Sequence, residues 1–177
     1  MLDNNSSNNI NNSEITNSIV NQYKDCIFIN RIEDSEILNK TIKGMLTKVK
    51  NDINVGNYVE VNDLLKEYMI SEGFDNLSRN LKIDIIYYRS ITLLNMEKYD
   101  EAKAVAERIL SIDKNNLKYY KFGTSLNILL VNRKEFNKYI NKLKELNESE
   151  NNIELYEIKM LYNEKKYDEA LEIARTQ

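Results

Sequence analysis

The side chains that most often do acid–base chemistry or hold metals are scarce in this sequence. It contains no histidine and one cysteine, Cys26. Composition therefore excludes Ser–His and Cys–His nucleophile pairs, and a zinc site would lack its usual ligands. A lone cysteine forms no disulfide within the chain. With no histidine to take its proton, Cys26 reads as a small apolar residue rather than a reactive thiol. The glycines stand apart at 44, 56, 73 and 123, so no glycine-rich phosphate loop exists. Aspartate and glutamate are plentiful but fall mainly on helix faces away from the apolar stripes, where they read as solvated charge. The expectation is a protein that is not an enzyme, with no catalytic residue, no cofactor and no metal.

Two other residue groups could support binding. Lys134, Lys138 and Lys142 form a basic line at i, i+4 and i+8. That line could contact an acidic protein or RNA, but Glu135 and Glu145 moderate it and a solvated helix face is the simpler account. The 12 tyrosines offer amphipathic contact area at modest entropic cost. A formal net charge of −3 argues against a general nucleic-acid binder, which needs excess Lys and Arg on one face. No apolar run approaches the roughly 18 residues of a membrane helix. The opening MLDNNSSNN lacks the basic-then-apolar order of a secretory signal. A cytoplasmic location with no membrane and no nucleic-acid partner is expected. The wealth of Asn, Lys, Ile and Tyr suits AT-rich codons.

The elements that position these residues are helical. With no proline and four glycines, the sequence suits long helices. Residues 1–17 are an Asn/Ser-rich tail expected to be disordered. Residues 18–37 are a partly ordered segment, in which Cys26-Ile27-Phe28-Ile29 reads as a short strand or a docked irregular run, with a short linear motif for a partner as the further alternative. From Leu38 onward the apolar spacing is that of α-helices. Leu38, Ile42, Leu46, Val49 and Ile53 share one face, and Gly56 then breaks the helix. Val61, Leu64, Leu65 and Tyr68 make the next face, followed by a loop around Gly73. A helix over 77–95 is apolar on more than one side and so should be central. Further helices are expected over about 99–112, 117–131, 134–147, 152–163 and 167–177. The class is all-α, and residues 38–177 form one domain.

The strongest pattern is an internal repeat. Asn54…Tyr58, Asn95…Tyr99, Asn132…Phe136 and Asn163…Tyr167 each place an aromatic four residues after an asparagine. Val61, Ala102, Tyr139 and Ala170 follow three residues later. The aromatics are 41, 37 and 31 residues apart, and Tyr99 and Tyr167 are 68 apart, twice 34. Asparagine tolerates the left-handed conformation that ends a helix, so each is expected to stop the first helix of a pair. The aromatic then opens the second helix and fills the gap between the two.

The stretch from Asn95 to Asn116, with Tyr99-Asp100-Glu101-Ala102 at its centre, resembles the turn and second helix of the tetratricopeptide repeat family. Tyr167-Asp168-Glu169-Ala170 nearly restates it. The resemblance covers about residues 38–177 and implies a right-handed solenoid of antiparallel helix pairs, about four hairpins, that binds a protein or peptide partner. Lys114 stands where the family has proline. Val49, Ser90, Asn127 and Ile158 stand where it favours a small residue in the first helix. Carried onto this sequence, the family's concave groove would be lined by Tyr87, Ile91, Leu94, Lys121, Thr124, Ile128, Leu155, Lys159 and Tyr162. A mixed apolar and basic groove suggests an amphipathic or acidic peptide. The chaperone-tail clamp of one subfamily is not expected, since Leu46, Lys50 and Tyr88 replace its Lys and Asn residues and only Lys121 fits. The family also includes bacterial peptide-responsive regulators. A sensor domain or the substrate-binding part of a larger enzyme are therefore the alternatives to an adaptor. No helix is expected beyond the last one to cover Ile173, which predicts a longer solenoid, a homodimer through the C-terminal helix, or a last helix that frays.

Overall fold

The computed structural model of the protein describes residues 35–175. The expectations for the tail 1–17 and for the segment around Cys26–Ile29 lie outside these residues. Among the described residues the chain is helical without strands. Its helices are α1 (Ser35–Asn54), α2 (Tyr58–Met69), α3 (Glu72–Asp75), α4 (Arg79–Asn95), α5 (Tyr99–Ile112), α6 (Leu117–Leu129), α7 (Arg133–Glu145), α8 (Glu150–Asn163) and α9 (Tyr167–Arg175). The short α3 occupies the expected loop at Gly73 and buries Phe74.

The helices pack in a regular order. Turn-linked neighbours pair as α1·α2, α4·α5, α6·α7 and α8·α9. The first helices then pack on one another, α1 on α4, α4 on α6 and α6 on α8. Each second helix also covers the next first helix, α2 on α4, α5 on α6 and α7 on α8. Neighbours on several sides explain why α4 is apolar around its circumference: Leu81, Ile83, Ile85, Ile86, Leu93 and Leu94 are all buried. α7, with fewer neighbours, buries one stripe of Phe136, Ile140 and Leu143.

The four hairpin turns share one geometry, and the asparagines do not supply it. The left-handed residues are Gly56 (φ 89°), Glu97 (60°), Val131 (50°) and Lys165 (63°). The next N–H in each turn closes onto the carbonyl five residues back. These bonds are Asn57 to Asp52 at 2.9 Å, Lys98 to Leu93 at 3.0 Å, Asn132 to Asn127 at 2.9 Å and Lys166 to Leu161 at 2.9 Å. This is the Schellman closure of a helix end. Asn54, Asn95 and Asn163 are the last residues of their helices, two positions before the left-handed one. Asn95 donates back to Ile91 O at 2.8 Å, and Asn163 donates across to Ile128 O at 2.9 Å. Asn132 lies after its turn and caps α7, accepting from Glu135 N at 3.2 Å.

The shared turn corrects the register of the third unit. The second helices start at Tyr58, Tyr99, Arg133 and Tyr167. The last three starts are 34 residues apart, not 37 and 31. The 41-residue first interval holds α3 in addition. Arg133, not Phe136, thus takes the place of Tyr99. Phe136 takes that of Ala102 and Ala170, all three buried, at 0%, 0% and 6% exposure. The small-residue place in the first helix passes from Asn127 to Thr124, which is fully buried like Ser90.

Side-chain volume explains why this unit departs from the pattern. Phe136 needs more room than alanine, and Arg133 lies 5.1 Å over its ring as a cover. Tyr139 also leans onto the opposite helix at Gly123. A Cβ at Gly123 would stand 2.0 Å from Tyr139 Cε1. Bulk in the second helix is matched by a missing side chain in the first. The exit turn at Asp113 works without proline. Asp113 accepts from Asn115 N and Asn116 Nδ2, both at 3.2 Å, and Asn116 caps α6 through Lys118 N at 3.0 Å.

Candidate interaction site

Across the first helices runs a seam of tyrosines and lysines. Lys50 of α1 lies 5.5 Å over the Tyr88 ring of α4. Tyr88 packs edge-on against Tyr87 at 5.6 Å. Lys118 of α6 lies 5.7 Å over Tyr87 and also pairs with Asp84. Lys121, one turn further, pairs at 2.7 Å with Glu148, whose side chain is 5% exposed. Glu148 also accepts from Asn152 Nδ2 of α8 at 2.6 Å. Beside it stands Tyr156 of α8, near enough to feel both Glu148 and Tyr87.

The electrostatics follow from this arrangement. The Tyr88 hydroxyl, by hydrogen bond and charge, keeps Lys50 protonated above its ordinary range. Burial, reinforced by Tyr88, raises Tyr87. Burial first, then Glu148 and Tyr87, raises Tyr156, so Tyr87 and Tyr156 stay neutral phenols. Burial alone would raise Glu148, but hydrogen bonds from Lys121 and Asn152 outweigh it and leave the carboxyl below the usual range. Lys118 and Lys121 are thus neutralised within the protein. Lys43 and Lys50 make no ion pair among the described residues. These two line a cleft of about 370 Å³ between α1 and α4, together with Thr47, Asn80, Asp84 and Tyr88.

The expected groove residues divide into three groups. Tyr87 and Lys121 are half-buried within the seam, and Ile91 is half-buried and packed against the core. Leu155, Lys159 and Tyr162 are exposed on α8. Leu94, Thr124 and Ile128 are buried, at 8%, 0% and 6% exposure, and support the helices rather than face a ligand.

Compared with known proteins, the chain matches no family model, no curated protein and no solved structure.

Several residues of the seam were not among the expected groove residues: Lys43, Lys50, Asp84, Tyr88, Lys118, Glu148 and Tyr156. One signal for them lies in the 34-residue step. Asp84 and Lys118 stand one step apart, so they occupy the same place on successive first helices, where opposite charges pair.

A second exposed region lies on α8 and α9. Leu155 (45%), Tyr162 (63%), Tyr167 (54%) and Leu171 (47%) are exposed, and Tyr162 packs on Tyr167 at 5.3 Å. The residues one and two steps before Tyr162, Ile128 and Leu94, are buried because further helices cover them.

Proposed function

We propose that this chain is a protein-interaction module rather than an enzyme. Its helix pairs form a right-handed solenoid of the tetratricopeptide type, and its first-helix face binds an extended acidic peptide in the cytoplasm. The observation that carries this reading is the tyrosine–lysine seam linking α1, α4, α6 and α8. Tyrosines give rigid amphipathic contact area, and Lys43 and Lys50 give positive charge that makes no ion pair among the described residues. The seam spans three interhelical steps of about 9 Å each, roughly 27 Å. An extended peptide of about eight residues covers that length.

Selection of the full chain against a displayed peptide library tests the reading. Retained sequences should be acidic, and Lys50→Glu and Tyr88→Ala should each weaken binding at least about ten-fold at a temperature where both variants remain helical by circular dichroism. Retained peptides indifferent to both substitutions would overturn it.

The apolar surface of Leu155, Tyr162, Tyr167 and Leu171 supports a second reading, a homodimer through α8 and α9. Sedimentation over a concentration series should then show dimers that Tyr162→Glu dissociates. A monomer throughout the series would eliminate this contact.

A further inference from the structure

We infer that the cleft between α1 and α4 is a phosphate site, which receives a phosphorylated serine or threonine of the bound peptide. The inference rests on the acidic-peptide reading above and names the residue of that peptide that decides its affinity.

The cleft stays cationic after its own pairs are counted. Lys43, Lys50 and Asp84 are the charged residues of its lining. Asp84 is already held by Lys118 from α6. Lys43 and Lys50 are exposed and make no ion pair among the described residues. Two positive charges are left for a ligand.

Their placement brings both charges to one point. Lys43 and Lys50 are seven residues apart on α1, about 10 Å along one helix face. Thr47 lies between them, one turn from each, so both stems reach a group seated over it. A peptide that follows the seam runs across the helices instead. It advances about 9 Å from one first helix to the next, and its alternate side chains face the protein. The two lysines thus stand across the peptide rather than along it, and both face the same side chain. A carboxylate answers one of the charges. A phosphate monoester carries close to two near neutral pH and offers three acceptor oxygens. Because α1 stands at one end of the seam, this residue lies near one end of the peptide.

The other polar groups of the cleft add donors. The Asn80 side-chain amide makes no hydrogen bond among the described residues. The Tyr88 hydroxyl accepts from Lys50, which leaves its own proton to donate. At about 370 Å³ the cleft is more than twice the roughly 150 Å³ that holds a benzene ring, so a phosphoryl group enters with part of its hydration.

The test uses the full chain and pools of capped eight-residue peptides built from Asp, Glu, Leu and Gly. The second or the seventh residue is fixed as phosphoserine, glutamate or serine, and binding is read by fluorescence anisotropy. In one of the two placements the phosphoserine pool should bind at least about ten-fold tighter than the glutamate pool. Lys43→Gln should abolish that gain, and Lys134→Gln, an exposed charge on α7, should leave it. Lowering the pH from about 7.5 to about 5.5 should shrink the gain as the phosphate takes up its second proton. Equal binding of the phosphoserine and glutamate pools would overturn the inference while the acidic-peptide reading stands. A gain that survives Lys43→Gln, or that Lys134→Gln removes equally, would overturn it as diffuse charge attraction. Binding by none of the pools would remove the acidic-peptide reading and this inference with it.

Discussion

Gly123 and Tyr139 are a matched pair. The Tyr139 ring is held by the Tyr119 and Tyr120 rings, at 6.1 and 6.0 Å, and by its hydroxyl contact with Tyr119 at 3.3 Å. It cannot swing freely from a new methyl group. Gly123→Ala should destabilise the fold by about 1–3 kcal/mol, although alanine is the better helix former by about 1 kcal/mol. Tyr139→Val should recover most of that loss, a coupling that a double-mutant cycle in denaturant measures. At Val131 the sign reverses. Val131→Gly removes a left-handed valine and should stabilise by about 1 kcal/mol, read as a raised denaturation midpoint. The third unit was misread from sequence at this same scale. An asparagine four places before an aromatic fits Asn132 and Phe136 by coincidence of spelling, because the aromatic has moved inward to an alanine's place. Backbone φ, which marks the true turn at Val131, is not written in residue type.

Between elements, α7 is tied to α8 by one arginine. Arg133 bonds Glu164 at 2.9 and 2.7 Å and also pairs with Glu157. Arg133 holds the Glu164 carboxyl below its ordinary value of 4.5, against the effect of burial. A depressed carboxyl stabilises the fold above its unfolded-state pKa, and that stabilisation is lost as pH falls through the folded-state value. Glu164→Gln should therefore cost about 1–3 kcal/mol near neutral pH, and the difference from the unaltered chain should shrink at acid pH as the Glu164 carboxyl protonates. Denaturation midpoints at the two pH values check this. Helix positions were readable from apolar spacing at this scale, and the all-round apolar α4 was readable as central. The short α3 was not, because Gly73 reads as a break and one buried side chain, Phe74, is too little for periodicity to register.

For the molecule as a whole, burial is uneven. One core runs from Leu38 to Leu126, and a smaller one joins Ile128, Phe136, Ile140, Leu143 and Met160. α9 buries only Ala170. Local opening should cost least where burial is least. Amides of α8 and α9 should exchange with solvent well before those of α4, and uniform protection along the chain would contradict this. The tyrosine–lysine seam was partly readable: Tyr87 and Lys121, named from sequence, are members of it. Choosing its other members required the third unit's register and the partners of each lysine, both of which depend on how neighbouring helices seat.

The hairpin turn constrains conformation but hardly constrains identity. Glycine, glutamate, valine and lysine all hold the same left-handed place. A unit copied within a gene could then change every letter of its turn while keeping its length. An insertion or deletion inside a hairpin would shift every following contact and be selected against. Ancestry in such a chain is better traced by counting residues between turns than by matching their names, and lineages would diverge in spelling long before they diverge in metre.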